Sequence, residues 1–162
     1  MTGRILALDP GTKRIGVAVS DEMEWIAQPL ETFERSTLHA DLTHIQQLVQ
    51  CHEVREVIVG LPLRLSGRVG PEAESVQRFI DTLRQHMNIP VVPWDERLTS
   101  KSAEDMLIEA NVSRKKRKGP VDRVAAAILL QSYLEHLTEE RRASGDAARA
   151  DMSHEEGSWD DR

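Results

Sequence analysis

Four acidic residues stand where one predicted element gives way to the next, and they are the residues best placed to do chemistry. Asp9 closes the strand-like run Arg4-Ile-Leu-Ala-Leu-Asp9. Strand alternation puts it on the same face as Ile5 and Ala7, so the carboxylate continues a buried row and emerges at its rim. The same residue also opens Asp-Pro-Gly-Thr, a favourable β-turn sequence, and that alone would account for it. Asp95 and Glu96 follow the strand candidate Ile89-Pro-Val-Val-Pro-Trp94, at the carboxyl end where α/β sheets commonly place ligands. A solvated loop with an Arg97 ion pair is the plainer alternative. Asp122 lies in the first turn of a helix opened by Pro120, with Ala126, Leu129 and Tyr133 at i+4, i+7 and i+11. A first-turn aspartate is favoured by the helix dipole in any case. One aimed toward a sheet is unfavourable unless a cation or a hydrogen-bond donor meets it. Taken together, Asp9, the adjacent pair Asp95 and Glu96, and Asp122 have the chemistry of a site for a hard divalent cation, Mg²⁺ or Mn²⁺, which keeps waters and binds substrate phosphates.

Other chemistries find little support. The histidines (39, 44, 52, 86, 136 and 154) show no HxH or HExxH spacing, which disfavours a zinc hydrolase. There is no GxxxxGK[ST] phosphate loop and no Gly-x-Ser-x-Gly elbow. The single cysteine, Cys51, has no motif around it, can form no internal disulfide and points to a reducing, cytoplasmic setting.

The elements that must carry the acids can be read from periodicity. Arg4–Asp9 and Arg14–Ser20, joined by Pro10-Gly-Thr-Lys13, predict an antiparallel hairpin. Gly16 and Ala18 on its second strand leave little bulk on one face. A third strand is predicted from Trp25 to Phe33. Apolar residues at 38, 42, 45, 48 and 49 predict a helix over Leu38–Cys51. Glu56–Gly60 reads as a buried, parallel-type strand, followed by a loop from Leu61 to Pro71. A helix over Glu72–His86 comes next, and then Ile89–Trp94, whose prolines suit an edge strand. Further helices are expected from Thr99 or Ser100 to about Ala110 and from Pro120 to about Glu140. A hairpin feeding βαβ crossovers gives an α/β fold with a mixed sheet and helices on its faces.

The chain has 162 residues with a formal net charge of −6, 40% hydrophobic and 30% charged. That suits one domain, expected over 1–142, and leaves no room for a second lobe. No stretch is long and apolar enough to span a membrane. The N-terminus runs straight into a strand pattern, so no signal peptide is expected. The acidity weighs against nucleic acid until its placement is considered. Residues 143–162 hold six acidic and two basic groups, while the first 142 hold 21 acidic and 19 basic. The last twenty, rich in Ala, Ser, Asp and Glu, read as a disordered acidic tail. Arg114-Lys-Lys-Arg-Lys118 sets five cations together.

Several motifs then carry a family resemblance. Leu8-Asp-Pro-Gly-Thr-Lys-Arg-Ile-Gly-Val-Ala-Val-Ser-Asp21, Val59-Gly-Leu-Pro-Leu63 with Gly67, Asp95-Glu-Arg-Leu-Thr99, and Lys118 with Asp122-Arg-Val-Ala-Ala126 follow in order. They resemble the motifs of the YqgF family, pre-16S rRNA nucleases that are also described as Holliday-junction-resolvase-like, over residues 4 to 137. The resemblance implies an RNase H-like fold with a five-stranded mixed sheet flanked by helices. It implies that Asp9, Glu96 and Asp122 are the catalytic, metal-binding carboxylates, with Asp95 able to share or replace Glu96. Many nucleases of the wider superfamily carry an acid at the end of the fourth strand, whereas here that place reads Val57-Ile-Val-Gly-Leu-Pro62. Two Mg²⁺ or Mn²⁺ ions, about 3.5–4 Å apart, are expected to bracket the scissile phosphate, with products ending in 5′-phosphate and 3′-hydroxyl. Lys13, Arg14, Arg64, Arg97 and Lys118 are candidate phosphate contacts. The expected substrate is the precursor of 16S rRNA within a pre-ribosomal particle. Branched DNA is the alternative, as is a non-catalytic factor binding RNA or the transcription machinery. A monomer and a homodimer are both compatible with the sequence. An actin-like ATPase or sugar kinase shares the Asp-x-Gly-Thr opening but needs two lobes.

Overall fold

A computed structural model describes residues 3–64, 66–99 and 121–156, with side chains of the last stretch described from 123 to 145. Strands β1 (Arg4–Pro10), β2 (Arg14–Ser20) and β3 (Ala27–Glu34) lead into helix α1 (Leu38–Cys51). Strand β4 (Val54–Leu61), helix α2 (Pro71–His86) and strand β5 (Val91–Asp95) follow. A 3₁₀ turn (Glu96–Leu98) and helix α3 (Val121–Glu156) complete the described chain. The sheet order is β3-β2-β1-β4-β5. The β1–β2 and β2–β3 pairs are antiparallel, while β1–β4 and β4–β5 are parallel. This is the expected five-stranded mixed sheet, with β5 at the edge, Pro93 within it and Pro90 just before it. The expected helix from 99 or 100 to 110 and the basic run 114–118 lie outside the described residues.

The period of two in β1 and β4 sorts the core into two layers. Leu6, Leu8, Val57 and Val59 face α1 and α2, packing with Leu42, Ile45, Phe79, Ile80 and Leu83. Ile5, Ala7, Ala18 and Ile58 face α3, where Ala126, Ala127, Leu130 and Leu134 meet them. The alanines in this second layer, on the strands and on α3, let the helix lie close to the sheet. The helix starts follow local chemistry. The Thr37 hydroxyl caps α1 by accepting from the Ala40 amide at 3.1 Å. Pro71 takes the first position of α2, where no amide is needed.

A buried polar network, not foreseen from the sequence, ties the β2–β3 loop to β4 and α3. The Asp21 carboxylate accepts from the Trp25 and Ile26 amides at 2.8 and 2.9 Å. That turn holds Glu24 in the left-handed region at φ 60°, with its buried carboxylate between Arg55 and Arg141. Next to it the Tyr133 hydroxyl donates to Glu56, which also pairs with Arg55. Burial, and then the Glu56 carboxylate, push the Tyr133 hydroxyl well above its ordinary value of 10. Because the folded value is raised, the stabilisation is complete below pH 10 and is lost as pH rises further. Tyr133→Phe is expected to destabilise the fold by about 1–2 kcal/mol at pH 8. In denaturant titrations that gap should narrow above pH 10.

Helix α3 runs past the expected end near Glu140, through the acidic segment read as a disordered tail, as far as Glu156. Residues Glu139 to Gly145 are exposed, and a Cβ added at Gly145 would meet nothing within 4 Å. The apolar periodicity that predicts burial ends where expected. Helix formation continues through Ala143, Ala147, Ala148 and Ala150, residues of the highest intrinsic helix propensity. Among the described residues, no helix is long and apolar enough to cross a membrane.

Candidate active site

Parallel pairing brings the carboxyl ends of β1, β4 and β5 to one edge of the sheet. Leu8 pairs with Val59, so the next step in that register sets Asp9 beside Gly60. On its other side Asp9 pairs with Gly16. Gly60 in turn pairs with Trp94, and Leu61 with Asp95, after which the chain bends into the 3₁₀ turn that begins at Glu96. Asp9 and Glu96, both half-buried, line a cavity of about 340 Å³ with Thr99 and the α3 residues Ala125, Ile128 and Leu129. They also line a second cavity of about 540 Å³, bounded by the Pro10–Thr12 turn, Arg35 and the first two turns of α2. A separate cavity of about 530 Å³ beside Met23 and Trp25 contains neither residue.

Gly60 accounts for the missing acid on the fourth strand. A Cβ built there would lie 2.9 Å from Glu96 Oε1 and 3.0 Å from Leu129 Cδ2. The carboxylate therefore occupies the space a β4 side chain would fill, reaching it from the turn after β5. A glycine is needed here for close approach rather than for backbone freedom.

Asp95 does something else. Its Oδ1 accepts from the Arg97 amide at 2.9 Å, capping the 3₁₀ turn, and the Arg97 guanidinium grips both carboxylate oxygens, at 2.6 Å for Nη2 to Oδ2. These hydrogen bonds hold Asp95 below the usual carboxylate range and raise Arg97. A lowered folded value means the pair stabilises the turn above about pH 3.8 and is lost as pH falls below it. The loop and ion-pair reading thus describes Asp95, while Glu96 shares the cavities with Asp9. On the expected nuclease reading with Glu96 as a ligand, Asp95→Asn lowers cleavage only about tenfold, through the turn that presents Glu96. Its stability should converge on that of the parent as pH falls below 3.8.

Asp122 occupies the second position of α3, three residues before Ala125 on the cavity wall; its side chain lies outside the described residues. Among those described, no group of three or more His, Cys, Asp or Glu side chains forms a metal cage. Asp9 and Glu96 supply oxygen donors only, which fits a hard divalent cation better than zinc.

The expected phosphate contacts are dispersed. Lys13, Arg14 and Arg64 are exposed. The Arg64 guanidinium lies against Gly70, where an added Cβ would come within 2.8 Å of its Nε. Arg97 is turned to Asp95 and lies near Gly67, while Lys118 lies outside the described residues. None of the three exposed residues lines either carboxylate cavity, but Thr12, Ser75 and Arg35 do. No local motif marks Arg35; it reaches the site because β3 pairs with β2 along its whole length.

Residues 3–136 match the RuvX family, described as Holliday junction resolvase. The chain belongs to the RuvX family. Among curated relatives, a protein of Halalkalibacterium halodurans is 50% identical over 134 residues, covering 82% of this chain and 96% of that protein. One from Halothermothrix orenii is 50% identical over 133 residues, covering 82% and 95%. Both bear the name "Putative pre-16S rRNA nuclease". The fold of this RuvX chain is also that of Thermus thermophilus RuvC, solved in complex with a Holliday junction substrate. That likeness has a TM-score of 0.57 at 13% identity, over 84% of this chain and 97% of that one. The Fowlpox virus resolvase, solved with Holliday junction DNA, gives a TM-score of 0.51 at 16% identity over 83% and 98%. The RNase H-like fold expected for the RuvX chain is therefore the fold observed.

Proposed function

We propose that this chain is a divalent-metal-dependent endonuclease that hydrolyses phosphodiester bonds in 5′-end maturation of the 16S rRNA precursor. One observation carries the reading. Carboxylates from β1 and from the turn after β5 meet in one cleft, across a strand that carries glycine where an acid would otherwise stand. Asp9, Glu96 and Asp122 would hold two Mg²⁺ or Mn²⁺ ions. Such ions, when bound, supply positive charge at the scissile phosphate and acidify water. The protein's part is to fix its carboxylates on rigid strand ends, to bound the cleft with α3 and α2, and to hold the flanking backbone by cations. Lys13, Arg14, Arg64 and Lys118 are assigned to that last role; Arg97 divides its charge with Asp95.

Two curated relatives at 50% identity support RNA as substrate by their names. The family description and the junction-bound structural neighbours favour a second reading, a structure-selective DNA nuclease. The working domain is taken as 1–142 with 143–162 as an acidic appendage. The exposed, unpaired Cys51 suits a reducing cytoplasm. The test presents the purified full chain with a 16S-precursor 5′-leader RNA and a four-way DNA junction, with Mg²⁺, with Mn²⁺ and with EDTA. Metal-dependent cutting of the RNA in preference to the junction is expected. Preferential cutting of the junction would transfer the assignment to DNA, and binding of RNA without cutting of either would make the protein a non-catalytic factor.

A further inference from the structure

Among the described residues, one cation lines the larger cleft beside Asp9 and Glu96. Arg35, just past the end of β3, is half-buried and lines that cleft together with both carboxylates. Three contacts fix it. Its amide donates to the Lys13 carbonyl at 2.8 Å, and its Nη1 donates to the Gly11 carbonyl at 2.8 Å. The guanidinium lies over the Phe79 ring of α2, 5.4 Å from the centroid, a cation–π geometry. Gly11 takes one Nη1 N–H, and among the described residues no hydrogen bond engages Nε or Nη2. Among the described residues no carboxylate pairs with it, although Glu72 borders the same cleft. A planar, preorganised, partly desolvated guanidinium edge beside a metal–carboxylate site is chemistry suited to a phosphate group.

Resting on the nuclease reading, we infer that Arg35 is a substrate-binding residue. It grips a backbone phosphate of the nucleic acid strand as that strand passes from the scissile position between the Asp9 turn and the start of α2. The site recognises phosphate, not base, so the contact adds affinity without sequence preference. The competing role is purely one of positioning, in which Arg35 does no more than brace the Pro10–Thr12 turn that follows Asp9.

Equilibrium binding separates the two and does not depend on cleavage. Wild-type, Arg35→Gln and Arg35→Lys full-length proteins are titrated with a fluorescent 16S-leader RNA in EDTA across a series of salt concentrations. Single-turnover cleavage is then measured with Mn²⁺ at saturating RNA. Arg35→Gln is expected to bind about tenfold more weakly, with a salt slope shallower by about 0.7, one phosphate contact on a single strand. Its saturated cleavage rate should stay within about threefold of the parent. Arg35→Lys keeps the charge and guards against misfolding of the Gln variant; it should restore the slope but only part of the affinity. Unchanged binding and slope in Arg35→Gln, or a loss confined to the saturated rate, would overturn the inference. So would a wild type that does not bind RNA. Binding that responds as expected in a wild type that never cleaves would sustain the phosphate contact and sink the nuclease reading instead.

Discussion

Asp9→Asn is expected to lower metal-dependent cleavage by more than about a thousandfold, about 4 kcal/mol of transition-state stabilisation, while the protein still folds. The substitution is nearly isosteric, and asparagine serves as well as aspartate at the first position of a β-turn. If Asp9 were there only to open the Pro10–Thr12 turn, the variant would retain activity. Asp9 instead lines one cleft with Glu96, oxygen donors suited to a divalent cation. Because asparagine keeps the size and the turn preference of aspartate, the variant should still melt as a folded protein. The check is paired: cleavage at saturating Mn²⁺, and a thermal melt on the same preparation. Retained activity would return Asp9 to a turn role.

Gly60→Ala is expected to do almost as much damage from a residue that carries no chemistry. The added methyl would sit 2.9 Å from Glu96 Oε1, 3.4 Å from Glu96 Cγ and 3.0 Å from Leu129 Cδ2. These are ends of side chains, so the fold can yield, at about 1–2 kcal/mol for an overpacked contact. The carboxylate cannot yield without leaving its place beside Asp9, and misplacement of a reacting group by about 1 Å costs on the order of a hundredfold. Cleavage should fall at least that far while the circular dichroism spectrum stays native. A Gly60→Ala variant with parental activity would mean that Glu96 does not work from the position it occupies here.

How much of this was legible in the sequence depends on whether the information is local. The β1–β2 hairpin, α1 and α2 were readable because turn residues and a 3.6-residue period are local signals. Helix α1 spans Leu38–Cys51, the range its apolar spacing predicts. β3 was readable only roughly: it begins at Ala27 instead of Trp25, because Asp21 closes the loop on the Trp25 and Ile26 amides. The extension of α3 to Glu156 was missed because this alanine-rich stretch has no amphipathic pattern to read. Asp9 was legible as an acid at a strand end. Its proximity to Glu96 was not, because it depends on β4 lying between β1 and β5, which only the assembled sheet provides. The adjacent acids Asp95 and Glu96 are alike in sequence. They part in the structure because Arg97 lies two residues beyond Asp95 and folds back upon it. Arg35 was illegible for the same reason as the proximity of Asp9 to Glu96, being brought to the cleft by strand pairing and not by a motif. The net charge of −6 also reads differently once placed: Asp9 and Glu96 are part of it, and they line one cleft, the proposed cation site.

The central claim is that Asp9 and Glu96 form a divalent-cation site in which Asp95 takes no direct part. The most direct measurement is Mn²⁺ binding to the full-length protein without substrate, followed by electron paramagnetic resonance for wild type, Asp9→Asn, Glu96→Gln and Asp95→Asn. Wild type and Asp95→Asn should bind Mn²⁺ alike, and the other two should bind at least about tenfold more weakly. Loss of Mn²⁺ in Asp95→Asn with parental binding in Glu96→Gln would contradict the account.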